Sequence, residues 1–309
     1  MARKIRYQES NLLYFVSNRC LEQRFFLQSG SETNALFLNC LARAAFRYKI
    51  CVYGFVFMNN HFHLIVSAPH LNLNLFMAHF QTGITRGLNK ISGRARGSIF
   101  PERYNCVVLQ NDQVAFDKLI YLLANPCAAD LVEDPSDFPG VSSLGMHLSG
   151  EAIAVSWRGQ HKIQGAELAR AKLFQLTPLP GLAAMDEFAQ RKLVLKELEL
   201  RCIKLSEARG PKSVLGREGV LSRTREQRPV YPKFSPAPLV LGSDEQVKKY
   251  LEHLHNVHKA YQKARRSLYT RKREKFPPGT IRPGTCQCVP HRLAGRRNKQ
   301  AAKSAGGTN

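Results

Sequence analysis

The residues best fitted by type and spacing to do chemistry are His61 and His63, in the run Asn59-Asn60-His61-Phe62-His63. On a strand, alternate side chains share a face, so His61, His63 and Ile65 point one way. Phe62, Leu64 and Val66 point the other way and form an unbroken apolar set, as a core face requires. Two imidazoles on one strand face can take a metal ion together. The spacing alone is weak: 10 His in 309 residues give about 0.3 such pairs by chance, and His253 with His255 is a second pair. The plainer alternative is two solvent-facing strand histidines.

A second element bears on that choice. Residues 111–125 read as a helix capped by Asn111 and stopped by Pro126. At 100° per residue, Val114, Asp117, Lys118 and Asn125 lie near Tyr121, while Phe116, Leu119 and Leu123 lie opposite. Tyr121 is therefore expected on the polar face, with Asn125 one turn on. A tyrosine there is ordinarily a surface side chain. Beside a His-x-His strand it becomes a candidate nucleophile, although a free phenol has a pKa of about 10. A divalent metal on His61 and His63, with Asn125 as a further oxygen ligand, would polarise the phosphate that the phenol attacks.

The elements that must position these groups alternate along the first 130 residues. Strands are expected at 11–18, 50–58, 61–67 and 103–109, and helices at 32–48, 71–91 and 111–124. Asn59-Asn60 is a turn signal, since Asn tolerates positive φ. The order predicts an α+β fold, a ferredoxin-like antiparallel sheet with packed helices, followed by a basic, mainly α-helical C-terminal region.

Charge supports a polyanion partner. The net charge is +23 and the pI about 10.0, more than a small-molecule enzyme needs. Residues 1–150 hold 14 basic and 10 acidic side chains, and residues 151–309 hold 32 and 13. A folded domain over 1–148, a basic helical accessory region over 149–276 and a basic, disordered tail over 277–309 are expected. No apolar run is long enough for a transmembrane helix, and the N-terminus lacks a secretory pattern. Eight scattered Cys fit a reduced, cytoplasmic and nucleoid-associated location.

Beyond these features, NNHFHLIVSAP, SIFPERYNCVVL and YLLANPCAADLVEDPSDFPGVSSL, with YFVSNRC and ITRGLNKISGR, resemble the IS200-like (Y1) transposases. The closer match is to the branch associated with repetitive extragenic palindromes, over residues 3–145. The resemblance implies an HUH endonuclease fold, with His61, His63 and Asn125 as ligands of Mg2+ or Mn2+. It implies Tyr121 as the nucleophile that forms a 5′-phosphotyrosine link to single-stranded or hairpin DNA. No nucleotide cofactor, small-molecule substrate or membrane is implied, and a homodimer is compatible. The chain departs from the family at Gly140-Val141, where an aromatic usually precedes Ser142-Ser143, and at Leu122-Leu123-Ala124.

Candidate DNA-binding residues are Arg3, Lys4 and Arg6 in the N-terminal arm, and Arg19, Arg103 and Lys118 near the proposed site. Arg265, Arg266, Arg271, Lys272 and Arg273 follow in a basic helix over 245–274. Cys286-x-Cys288-x2-His291 has metal-like spacing but no second knuckle. An active single-strand nickase and strand transferase is the leading reading. The alternatives are a non-catalytic DNA-binding regulator on the same fold and an RRM-like RNA binder, which would want exposed aromatics where the histidines stand.

Overall fold

The computed structural model describes residues 5–156, 172–229, 238–269 and 275–291. The chain divides into two units: Ser10–Leu251, and Met1–Glu9 with Glu252–Asn309.

In the larger unit, β1 (Leu13–Arg19), α1 (Ser31–Tyr48), β2 (Cys51–Phe57), β3 (His61–Ser67), α2 (Leu73–Ile91) and β4 (Asn105–Leu109) follow in that order. Their strands lie side by side as β2-β3-β1-β4, all antiparallel. That is the ferredoxin-like arrangement the sequence predicted. Two short strands extend it: β5 (Val141–Ser142) beside β2, and β8 (Val240–Leu241) parallel to β4. The β8 strand follows a Pro-rich sequence, RPVYPKFSPAPL. A separate two-stranded pair, β6 (Ile153–Val155) and β7 (Lys172–Phe174), lies between them in sequence.

Each sheet face has its own helical cover. On one face Tyr14, Val16, Phe62, Leu64 and Val66 are fully buried, together with Phe37, Leu41, Phe76 and Phe80 of α1 and α2. The rings interlock, with Phe37 stacked on Phe57 at 4.9 Å and Phe62 edge-on to Phe80 at 5.4 Å. Truncating one such Phe to Ala costs about 3–5 kcal/mol.

The other face carries Leu13, Phe15, Val56, Ile65, Val107 and Leu109 in one core with Ala115, Leu119, Leu122 and Leu123 of α3 (Asp112–Leu123). Val194 and Leu198 of α6 (Glu187–Arg209) join the same core. The expected boundary near residue 148 therefore falls inside the larger unit, because α5 (Leu144–Ser149) and α6 pack with the sheet's own helices. Between α5 and α6, Asp186 caps the start of α6 by accepting from the Ala189 amide at 2.9 Å. The remaining helices are α4 (Asn125–Ala128) and α7 (Gly216–Leu221).

α8 (Asp244–Tyr269) begins in the larger unit and continues into the second. There Tyr7 bridges to Thr280, Ile281 bridges to Cys288, and the Tyr7 hydroxyl lies 2.8 Å from His253 Nε2. Within the stretch expected as a disordered tail, Thr280, Ile281 and Cys288 thus form β-bridges; 292–309 lie outside the described residues. His291 of the metal-like Cys/His run meets the Gln8 carbonyl at 3.0 Å. No described helix is long and apolar enough to cross a membrane.

Candidate active site

β1 and β3 lay down the floor of the site. In their register Arg19 faces His61, Ser17 faces His63, and Phe15 faces Ile65. One sheet face therefore grades along its length from apolar (Leu13, Ile65) to polar (Ser17, His63, Arg19, His61). The apolar part is roofed by α3, and the polar part lies where α3 ends.

His61 and His63 are neighbours, with ring centroids 4.9 Å apart. His63 stacks on Phe15 at 4.9 Å, and its Nδ1 is buried without a hydrogen-bond partner. Burial holds the His61 pKa down to about 4, helped by the cross-strand Arg19 charge and opposed by a hydrogen bond with Asn125. Burial, then the charges of His61, Arg19 and Lys118, hold His63 well below the usual imidazole range. Both rings are neutral at pH 7, as metal ligation requires.

The turn before β3 orients His61. Asn60 Nδ2 donates to the Gln23 carbonyl at 3.3 Å, which turns Asn60 Oδ1 toward His61 Nδ1, 2.7 Å away. An amide oxygen only accepts, so in this pairing Nδ1 carries the proton and Nε2 is the nitrogen that offers a lone pair. Gln23 itself sits at φ 56 beside Glu22 at φ 53, a strained pair of left-handed residues. Asn59 and Asn60 were expected to use positive φ in their turn; neither does. Their role is instead to tether the 20–29 loop. Asn59 and Asn60 carbonyls accept from Leu27 and Cys20 amides at 2.9 and 2.8 Å, and Ser29 Oγ donates to Asn59 Oδ1 at 3.2 Å.

α3 begins as expected: Asn111 Oδ1 accepts from the Val114 amide at 2.9 Å. It breaks at Ala124, and Pro126 falls in the first turn of α4, where its missing N–H costs nothing. That break buries Asn125 against His61. The helical wheel set Tyr121 opposite the core and, by implication, in solvent. Asp112, Gln113 and Asp117 are indeed exposed, but Lys118 and Tyr121 are half-buried on a flank that lies along the sheet. The Tyr121 ring stands edge-on to Phe15 at 6.0 Å and to His63 at 6.1 Å. Lys118 Nζ lies 4.6 Å from the Tyr121 ring centre. Burial, then the Arg201 charge, lowers the Lys118 pKa.

Around these groups lies a cleft of 490 Å³ lined by Arg19, Asn60, His61, Tyr121, Asn125 and Arg223, among others, with no carboxylate among the described residues. An adjoining cleft of 710 Å³ shares Arg19, Gln23 and Pro229 and adds Arg103 and Arg228 together with Glu22 and Glu102. Sequence reasoning named Arg19, Arg103 and Lys118. It missed Arg223 and Arg228, whose run SRTREQR is basic but aperiodic. It missed Asn60 and Gln23, which matter only through contacts across the chain. Arg6, Arg265 and Arg266 belong to the second unit, the latter two exposed on α8. Arg3, Lys4, Arg271, Lys272 and Arg273 lie outside the described residues.

The residues fit a divalent metal in part. In favour are two neutral imidazoles, an unpartnered buried nitrogen on His63 and the Asn125 amide hydrogen-bonded to His61. Among the described residues there is no cluster of three His, Cys, Asp or Glu side chains that could hold an ion, so any site here depends on Asn125.

No protein-family model matches the sequence, and no curated protein matches it. Among solved structures, the chain is similar to a REP-associated tyrosine transposase bound to a REP hairpin, at 17% identity and a TM-score of 0.40. The match covers 54% of this chain and 96% of that one.

Proposed function

We propose that this chain is a metal-dependent single-strand DNA endonuclease and strand transferase of the HUH, tyrosine-transposase type, with Tyr121 as nucleophile. The observation that carries the reading is the packing of the Tyr121 ring against His63, with His61 and Asn125 alongside, in a cleft that Arg19 and Arg223 also line. Hairpin or palindromic repeat DNA as the substrate comes from the resemblance of the sequence motifs.

Tyr121 Oη attacks a backbone phosphorus. A P–Oη bond forms as the P–O3′ bond breaks, the phenol proton leaves to water, and the 3′ oxygen takes up a proton to become a free hydroxyl. One phosphodiester has been exchanged for another, so the link can be reversed by a 3′-hydroxyl without a nucleotide cofactor. Lys118, against the Tyr121 ring, stabilises negative charge on the phenol oxygen and on the phosphate as the bond forms. Arg19, Arg103, Arg223 and Arg228 bind flanking phosphates, and Asn60 holds His61 in the tautomer that offers Nε2. When bound by His61, His63 and Asn125, Mg2+ or Mn2+ would supply Lewis acidity toward the phosphate. Two imidazole ligands favour Mn2+ over Mg2+. The basic second unit, with Arg265 and Arg266 exposed on α8, adds phosphate contacts that are independent of sequence.

The test is cleavage of a library of hairpin-bearing single strands with Mn2+. His61→Ala and His63→Ala should each abolish cleavage, and Asn125→Ala should weaken it less, since an amide oxygen is the poorer ligand. Cleavage undiminished by EDTA would falsify the metal's part in this reading.

A further inference from the structure

The outer side of α6 carries a stripe that has no partner among the described residues. While Val194 and Leu198 of this helix are buried, Phe188 is 76% exposed, Leu195 42% and Ile203 55%. At 100° per residue these three fall within an arc of about 80°, and Lys192 and Glu199 fall between them. The stripe reads Phe188-Lys192-Leu195-Glu199-Ile203. Single exposed apolar residues are ordinary on a protein surface, but three aligned along four turns are a patch.

The order of the stripe says what it fits. Turn the helix end for end about the point between Leu195 and Lys196, and Phe188 falls on Ile203, Lys192 on Glu199, and Leu195 near itself. The face is complementary to its own reverse, as a two-fold interface requires. Its charge excludes the chain's other partner class. Residues 151–309 hold 32 basic and 13 acidic side chains, yet this stripe has one cation and one anion. A surface for phosphates would show the excess.

We propose that α6 packs antiparallel on α6 of a second copy of this chain. Phe188 lies against the partner copy's Ile203 side, the Leu195 side chains meet near the two-fold axis, and Lys192 and Glu199 pair across it twice. The contact runs along a helix segment of roughly 24 Å. An interface of that extent stands at the weak end of specific ones, so self-association in the micromolar range is expected.

Sedimentation of the full-length protein across a concentration series tests this. Wild type should shift from monomer to dimer as concentration rises. Leu195→Lys, at an exposed position that folding does not depend on, should remain monomeric with unchanged circular dichroism. Lys192→Glu sets two like charges across the axis and should raise the dissociation constant about tenfold or more; adding Glu199→Lys should restore it. A wild type that stays monomeric at every concentration overturns the proposal and leaves the stripe to a different protein. A dimer indifferent to Leu195→Lys overturns it as well. Loss with Leu195→Lys but no response to either charge change overturns the antiparallel register.

Discussion

Asn60 is the residue whose function was least visible and whose contacts are most specific. It reads Gln23 on one side and His61 on the other, so it converts a strained loop geometry into a fixed imidazole tautomer. Asn60→Ala removes the acceptor and should lower metal affinity about 10- to 100-fold, the usual cost of losing a ligand's supporting hydrogen bond. Asn60→Asp keeps an acceptor at the same place and should restore most of it. Isothermal titration with Mn2+ on both variants checks this, and equal losses would remove Asn60 from the account. The histidine pair, Tyr121 and Asn125 were legible in the sequence because their spacing maps onto strand and helix periods. Asn60 was read only as a turn former, since its partner lies 37 residues away and no period marks it.

At the scale of elements, the site exists because α3 covers the second face of the sheet. The wheel identified its buried residues Leu119 and Leu123, but could not show that its polar flank would lie along β1 rather than in solvent. That outcome depends on how closely the helix approaches the sheet. Gly54 sets the approach: a Cβ there would stand 2.7 Å from Leu119 Cδ1, so the fully buried Leu119 side chain would have to shift. Gly54→Val should therefore lift α3, costing about 1–3 kcal/mol from overpacking, and should slow DNA cleavage by more than the lost stability explains. Thermal melts and single-turnover cleavage rates measured together check it; full activity with a lowered melting temperature would mean that α3 is not the positioning element. The β-α-β-β-α-β order was legible because each strand and helix carries its own hydrophobic period. β8 was not, since two paired residues in a Pro-rich stretch have no period to read.

On the scale of the whole molecule, three half-buried histidines of the larger unit tie its stability to pH. Burial lowers His61 to about 4, lowers His63 further below the ordinary value, and lowers His147 to about 4 against a hydrogen bond to the Tyr53 backbone. In the unfolded chain each would take a proton near pH 6.5. Between those values the unfolded state binds more protons than the folded one, so stability must fall as pH falls. It should be fully present above about pH 6.5 and be lost progressively toward pH 4. His147→Gln should make the decline shallower without altering the site residues. Urea midpoints at a series of pH values check the slope, and a flat profile from pH 7 to 4.5 would contradict the neutral state of these half-buried rings. The division of the molecule was legible only in part: the charge asymmetry marked the second unit's basicity, but α6 belongs with the sheet because its Val194 and Leu198 complete a core begun more than 170 residues earlier.

The central claim is that the Tyr121 hydroxyl takes the phosphate. Full-length protein incubated with end-labelled hairpin single strands and Mn2+, then denatured, digested and sequenced by mass spectrometry, addresses it directly. The expected result is one covalent protein–DNA species, with a 5′-phosphate on the peptide containing Tyr121 and a free 3′-hydroxyl on the released fragment. It should be absent in Tyr121→Phe, while DNA affinity changes by no more than about a few fold, because one hydroxyl is small beside many phosphate contacts. An adduct that survives Tyr121→Phe, or that maps to another tyrosine, would contradict the account.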